Sequence, residues 1–238
     1  MTLRLFSMAA GVALCIIALP AAADDCHPAP DHDQPQYTLG YGSLMETESK
    51  DRTVKDAGPN LPVRVTGFRR GWIDPGTDPG PQPVYLGVRP DADASMNAVI
   101  YRLDDPRDID RTDAREYIYC RSLVPPAQLE MLGGQTRPNG QVWLYVTPES
   151  HVGAATPDTP IVQSYVDIFV NGCLELQDRY GLDGFARECI DSTAGWSAHW
   201  VNDRIYPRRP FIYRKNAVRI DRLLQAALPE IFPQIRIE

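Results

Sequence analysis

An α+β fold is predicted: a small mixed β-barrel with flanking helices and a helical C-terminal extension. Three observations predict it. Short β-prone runs recur between Tyr37 and Val146. The regular strand–helix alternation that a parallel α/β sheet requires is missing from that stretch. Long apolar stripes at helical spacing occur only in the last third, through Val162, Val166, Phe169, Cys173 and Leu176.

Residues 1–23 read as a signal peptide. Arg4 precedes an apolar run from Met8 to Leu19, and Ala21-Ala22-Ala23 forms a small-residue cleavage site before Asp24. The run is short for a membrane anchor and stops at Pro20. Leu14 precedes Cys15 where a lipoprotein signal would want a small residue. The chain is therefore expected to be exported to the periplasm, with no membrane anchor after cleavage. Residues 24–36, rich in Pro, Asp and His, offer nothing to bury and read as a disordered tail.

A barrel domain is expected over 37–150. Tyr37, Leu39 and Tyr41 alternate as a strand that ends at Gly40 and Gly42. Glu46 to Pro59 is polar, a loop holding a helical turn. Val63 to Trp72 reads as a strand with bulges at its glycines. The Pro- and Gly-rich run from Asp74 to Pro83 reads as a loop, followed by two strands, Val84–Val88 and Ala98–Leu103. Asp105-Pro106 opens a helix that carries Ile109 and ends near Glu116. From Tyr117 the alternation is that of a strand, with Tyr119 and Arg121 on one face and Cys120 on the other. Gln141–Val146 is the last strand.

The extension, 151–238, is read as helices packed on the barrel. Thr159-Pro160 starts the first and Gly181 stops it. Phe185, Cys189 and Ile190 mark a second, and Ala217 to Leu228 a third. Cys173 and Cys189 face inward on consecutive helices, so a Cys173–Cys189 disulfide is preferred over two buried thiols. Export brings oxidising conditions, and the four cysteines beyond the leader permit two disulfides in three connectivities. No cysteine pair has zinc-like spacing, and no metal is expected.

The formal charge is −7. An acidic chain with no basic block is a poor partner for nucleic acid or an anionic membrane. Nothing in the sequence signals an oligomeric state. A Gly-x-Ser-x-Gly elbow is absent around Ser43, where Tyr41 and Met45 stand instead of glycine, so a serine hydrolase is disfavoured.

Two stretches carry the functional reading. Gly40-Tyr41-Gly42-Ser43-Leu44 is a glycine turn after a strand, suited to aiming backbone N–H groups at an oxygen ligand. Asp113-x-Arg115-Glu116-x-x-Tyr119-x-Arg121 puts Glu116 at a helix-to-strand junction, where a side chain can enter a cavity. Together, in this order and spacing, they resemble the γ-glutamylcyclotransferase-like proteins, with their Tyr-Gly-Ser-Asn/Leu signature and acidic motif. Gly67 to Trp72 and Ala98 to Leu103 are similar too, so the resemblance covers about Tyr37 to Val146. It implies a small barrel, a small-molecule γ-glutamyl substrate, no cofactor, and cyclisation of a γ-glutamyl amide to 5-oxoproline with release of its amine. Glutathione and other γ-glutamyl peptides are the implied substrates.

On that resemblance Glu116 is the catalytic acid–base residue, and Tyr41, Gly42, Ser43 and Leu44 hold the substrate's oxygens. Tyr119 binds substrate or holds Glu116, and Arg121 reads the α-carboxylate, or else forms a structural ion pair. Tyr117 stands where many members have glycine, which implies a narrower pocket. The alternatives on the same fold are a small-ligand-binding protein without turnover and an envelope interaction protein. An enzyme requires the Glu116 carboxyl inside a pocket shared with the Tyr41–Leu44 turn.

Overall fold

The structure is a computed structural model that describes residues 26–54, 57–77, 82–209 and 216–238. The expected signal peptide lies outside the described residues. In chain order the first elements are β1 (Gln36–Gly40), α1 (Thr47–Thr53), β2 (Leu61–Pro75), β3 (Val84–Arg102) and α2 (Asp108–Arg115). Then follow β4 (Cys120–Leu123), β5 (Leu129–Met131), β6 (Gln141–Val146) and β7 (Ile161–Val162). The C-terminal part holds α3 (Gln163–Tyr180), α4 (Phe185–Asp191), β8 (Thr193–Ala194), β9 (Trp200–Asn202), α5 (Ala217–Ala227) and β10 (Arg236–Ile237).

A seven-stranded mixed sheet, ordered β4-β6-β1-β3-β2-β5 with β8 beside β2, curls into a half-barrel. The β1–β3, β2–β3 and β4–β6 pairs are antiparallel, and β1–β6 is parallel. A second, small parallel sheet is ordered β10-β9-β7. Successive residues of β3 serve two cores, as strand geometry requires. Ala98 and Ile100 join Leu39, Val63, Val65, Val142 and Leu144 on one face. Val99 and Tyr101 join Trp72, Trp143, Val166, Phe169 and Cys189 on the other, so α3 and α4 share a core with the sheet.

Several expectations are corrected. The two strands expected at Val84–Val88 and Ala98–Leu103 are one 19-residue strand. Its polar middle pairs with β2 beyond the core, as in Arg69↔Arg89, where the Arg69–Asp91 ion pair is exposed; such a segment carries no apolar alternation to read. The β2 bulges lie at Gly67 and Ile73, not at Gly71, because the register shifts between Thr66 and Phe68 and between Trp72 and Asp74. Asp74 thus belongs to the strand end and not to a loop. Helix α2 starts at Asp108, since Asp105 is spent on a preceding turn: its Oδ1 accepts the Arg107 N–H at 2.9 Å.

Helix α3 starts at Gln163, not at Thr159-Pro160. Residues 161 and 162 pair with β9, and Asp203 supplies the cap by accepting the Ser164 N–H at 2.7 Å. Gly181 ends the helix in the left-handed conformation, as expected.

Residues 26–36, expected to be disordered, are tied down. A Cys26–Cys120 disulfide anchors them, the Arg121 N–H donates to the Cys26 carbonyl at 2.7 Å, and Gln36 is buried in β1. The second disulfide is Cys173–Cys189, the pairing preferred from the sequence. Two disulfides fit an oxidising, exported location. No helix among the described residues is long and apolar enough to cross a membrane.

Candidate active site

Strand β1 delivers the glycine turn to one end of the sheet. Residues Ser43–Met45 form a single 3-10 turn, with the Met45 N–H donating to the Gly42 carbonyl at 3.1 Å. Glycine is required at 42 by a close approach: a Cβ there would lie 2.7 Å from Tyr165 Oη. That hydroxyl is hydrogen-bonded to the backbone and side chain of Ser43, and burial pushes it up to about 12. Beneath the turn lies Arg70, with 0% exposure; its Nη1 donates to the Tyr41 carbonyl at 3.2 Å and to the Asn97 carbonyl at 2.8 Å. Tyr41 is fixed at its other end, donating from Oη to the Tyr145 carbonyl at 3.0 Å.

A cavity of about 260 Å³ opens against this turn, lined by Tyr41, Gly42, Ser43, Leu44, Asp74, Arg115, Glu116, Ile118, Tyr119, Tyr145 and Tyr165, with Tyr85 and Arg209. That is at the small end for ligand pockets, which run from roughly 300 Å³ for drug-sized molecules, and fits an amino-acid-sized group. Glu116 enters because α2 stops just before it. The next residues form a turn, closed by the Tyr119 N–H donating to the Glu116 carbonyl at 2.9 Å. The strand expected from Tyr117 therefore begins only at Cys120. Tyr117, expected to narrow the pocket, is 73% exposed and does not line it.

Glu116 sits with a second carboxyl. Burial pushes its pKa above the usual range, Arg115 opposes the rise, and the charge of Asp74 adds to it. Arg115 Nε lies 3.3 Å from Glu116 Oε1. Asp74 is 1% exposed, and burial raises its pKa as well, against a hydrogen bond donated by the Tyr119 hydroxyl. Its Oδ1 has no hydrogen-bond partner among the described residues. Tyr119 thus holds Asp74, not Glu116.

The sign of the Glu116 shift makes a prediction. A carboxyl whose folded pKa is raised binds its proton more tightly in the native state, so its ionisation weakens the fold above that pKa. Glu116→Gln is expected to raise the thermal midpoint at pH 7. The gain should vanish below about pH 4, where a free glutamate is itself protonated. Melting curves at the two pH values check this; an equal gain at both would contradict the raised pKa.

Arg121 is not brought into the site. It is buried, donates to Asp113 Oδ2 at 2.6 Å and to the Pro28 carbonyl, and stacks over Trp143. Asp113 Oδ1 in turn accepts from the Tyr145 hydroxyl at 2.7 Å. Arg121 therefore braces the wall from behind, and its carboxylate-reading role is withdrawn. The other expected residues, Glu116, Tyr119 and Tyr41 to Leu44, meet in the cavity. Sequence reasoning missed Asp74, Tyr165 and Arg209. The aromatic at 165 falls one position before Val166 in the apolar stripe of α3, and Asp74 follows a bulge that resets the alternation. Nothing local marks Arg209.

No protein-family model and no curated protein matches the sequence. Among solved structures, a gamma-glutamyl cyclotransferase is similar, with 13% identity, 66% of this chain and 86% of that one covered, and a TM-score of 0.51. A human structure of the uncharacterized protein loc79017 has 15% identity, coverage of 63% and 88%, and a TM-score of 0.48. A yeast gamma-glutamyl cyclotransferase specific to glutathione has 14% identity, coverage of 63% and 88%, and a TM-score of 0.41. The chain has the γ-glutamylcyclotransferase-like fold, and identities this low speak to the fold alone.

Proposed function

We propose that the protein is a γ-glutamylcyclotransferase-type lyase. It converts a γ-glutamyl amine or peptide to 5-oxoproline and the free amine. The observation that carries this reading is the buried Glu116 carboxyl in one cavity with the Tyr41–Leu44 turn.

The substrate holds both reactants, its α-amine and its δ-carbonyl, so the enzyme's work is to fold the chain, move protons and stabilise charge. Glu116 takes a proton from the α-ammonium. The amine attacks the δ-carbon, and the carbon–nitrogen bond of the ring forms. The carbonyl oxygen becomes an oxyanion held by backbone N–H groups of the 41–44 turn. Glu116 then returns the proton to the leaving nitrogen as the old amide bond breaks, the ring nitrogen gives its second proton to the released amine, and no water is consumed. Burial raises its pKa, the direction that suits a group that must both take and give a proton.

In an exported, periplasmic setting the substrates are glutathione and other γ-glutamyl peptides with a free α-amine. Intact peptidoglycan is excluded, because the α-amine of its γ-linked glutamate is acylated and cannot attack. The test is 5-oxoproline release by purified protein over a panel of γ-glutamyl compounds. Release from at least one is expected, and silence over the whole panel would refute the reading.

Asp74 acts on the acid limb of the pH profile. Removing its charge takes away one cause of the Glu116 shift, so Asp74→Asn is expected to move the acid limb of kcat/KM to lower pH. An unmoved or upward-moved limb would separate Asp74 from Glu116.

A further inference from the structure

We infer that Arg209 is a carboxylate-binding subsite of the cavity, so that the C-terminal extension decides which substrates bind. Only the choice of test compounds rests on the γ-glutamyl reading. Arg209 lines the cavity, and its guanidinium lies 4.7 Å from the Tyr85 ring centroid and 5.8 Å from that of Tyr165. The two rings meet edge to face at 5.2 Å. A guanidinium seated on aromatic faces keeps its N–H edges for a ligand, and its fork matches a carboxylate in two-bond geometry.

The backbone that presents it is pinned to the start of α3. The Arg209 N–H donates to Ser164 Oγ at 3.2 Å, and Ser164 Oγ donates to Asp203 Oδ2 at 2.7 Å. The Arg208 N–H donates to the same Asp203 oxygen at 2.8 Å. The side chain is thus presented by a fixed platform.

Charge distribution points the same way. Among the described residues, Arg209 forms no ion pair, whereas Arg121 and Arg204 are each held by aspartates. The other cavity arginine, Arg115, is engaged with Glu116. The cavity's two acids, Asp74 and Glu116, offer an anion no partner and, when ionised, repel it. A ligand with an ammonium and a carboxylate therefore places its ammonium toward the two acids and its carboxylate on Arg209. Arg209 lies over the Tyr165 ring, whose hydroxyl sits against Gly42, and this puts the subsite beside the glycine turn.

Two carboxylates could occupy it: the α-carboxylate of the γ-glutamyl group, or the carboxylate of an amino acid about to be released. The test measures calorimetric binding of γ-glutamylglycine, of γ-glutamyl methylamide and of a γ-glutamyl compound with both carboxyls amidated. It uses Glu116→Gln protein with and without Arg209→Gln or Arg209→Lys. Loss of one charge-assisted pair is expected to weaken binding about ten- to a hundredfold in the Gln variant, with partial recovery in the Lys variant.

A loss for both carboxylate compounds assigns the α-carboxylate, and a loss for γ-glutamylglycine alone assigns the leaving amino acid. Either result supports the subsite, provided the fully amidated compound is unaffected. Equal weakening of all three ligands, no weakening of any, or no binding of the carboxylate compounds at all would overturn it. Because binding is read without turnover, an inactive protein with Arg209-dependent binding would sink the cyclisation and leave the subsite standing. An active protein whose affinities ignore Arg209 would do the reverse.

Discussion

Glu116→Gln is expected to abolish 5-oxoproline release while leaving the fold intact. A positioned general acid–base residue contributes about 10²- to 10⁴-fold, and here one carboxyl is assigned both proton transfers. The amide keeps the shape of the side chain but can neither accept the ammonium proton nor return it. Asp74 is assigned neither transfer; its Oδ2 accepts from the Tyr119 hydroxyl. The wild-type kcat/KM should rise with pH along a limb set by Glu116, above the ordinary glutamate range. Circular dichroism and a cooperative melt check the fold of the variant. A variant that releases 5-oxoproline at the wild-type rate would remove Glu116 from the chemistry.

Gly172→Ala is expected to destabilise the protein, reversing the usual sign. In an exposed helix interior the same change stabilises by about 1 kcal/mol, because glycine is the poorer helix former. Here Gly172 lies in the middle of α3 where the helix presses on the chain just after the glycine turn. A Cβ at 172 would lie 2.4 Å from the Glu46 nitrogen and 2.5 Å from the Met45 carbonyl carbon. Both are backbone atoms and cannot rotate aside. They are also held: the Asn171 side chain donates to Glu46 Oε1 at 2.7 Å, and the Thr47 N–H donates to Glu175 Oε2 at 3.1 Å. Relief requires α3 and the 43–45 turn to part, at a cost near the top of the roughly 1–3 kcal/mol range for overpacking. Urea denaturation reads the loss. The variant should also bind substrate more weakly, because the displaced segment is the one proposed to hold the carbonyl oxygen. Unchanged or increased stability would mean that the close approach of α3 to Met45 and Glu46 does not constrain the turn.

Much of this architecture was legible in local pattern. Strand β6 at Gln141–Val146 is a dense run of β-formers, and Gly181 is an ordinary helix stop. The Cys173–Cys189 pair could be chosen because both residues fall on inward stripes of neighbouring helices. The meeting of Glu116 with the Tyr41–Leu44 turn came from two motifs some seventy residues apart, whose order and spacing carried a family resemblance. What stayed hidden depends on non-local partners. Strand β3 runs through polar residues because β2 pairs with them there. The Cys26 segment looked featureless because its order comes from Cys120 and Gln141, about a hundred residues away. Arg121 and Arg209 could not be told apart by sequence. One is buried against Asp113 and the other reaches the cavity, and only the packing of the extension decides which.

The position of bound 5-oxoproline in a crystal structure tests the central claim most directly. The account predicts the product's ring carbonyl oxygen on the backbone of residues 42–44, and its ring nitrogen within about 2.6–3.2 Å of the Glu116 carboxyl, the reach of proton transfer. Product seated away from Glu116, or with its carbonyl turned from the glycine turn, would contradict it.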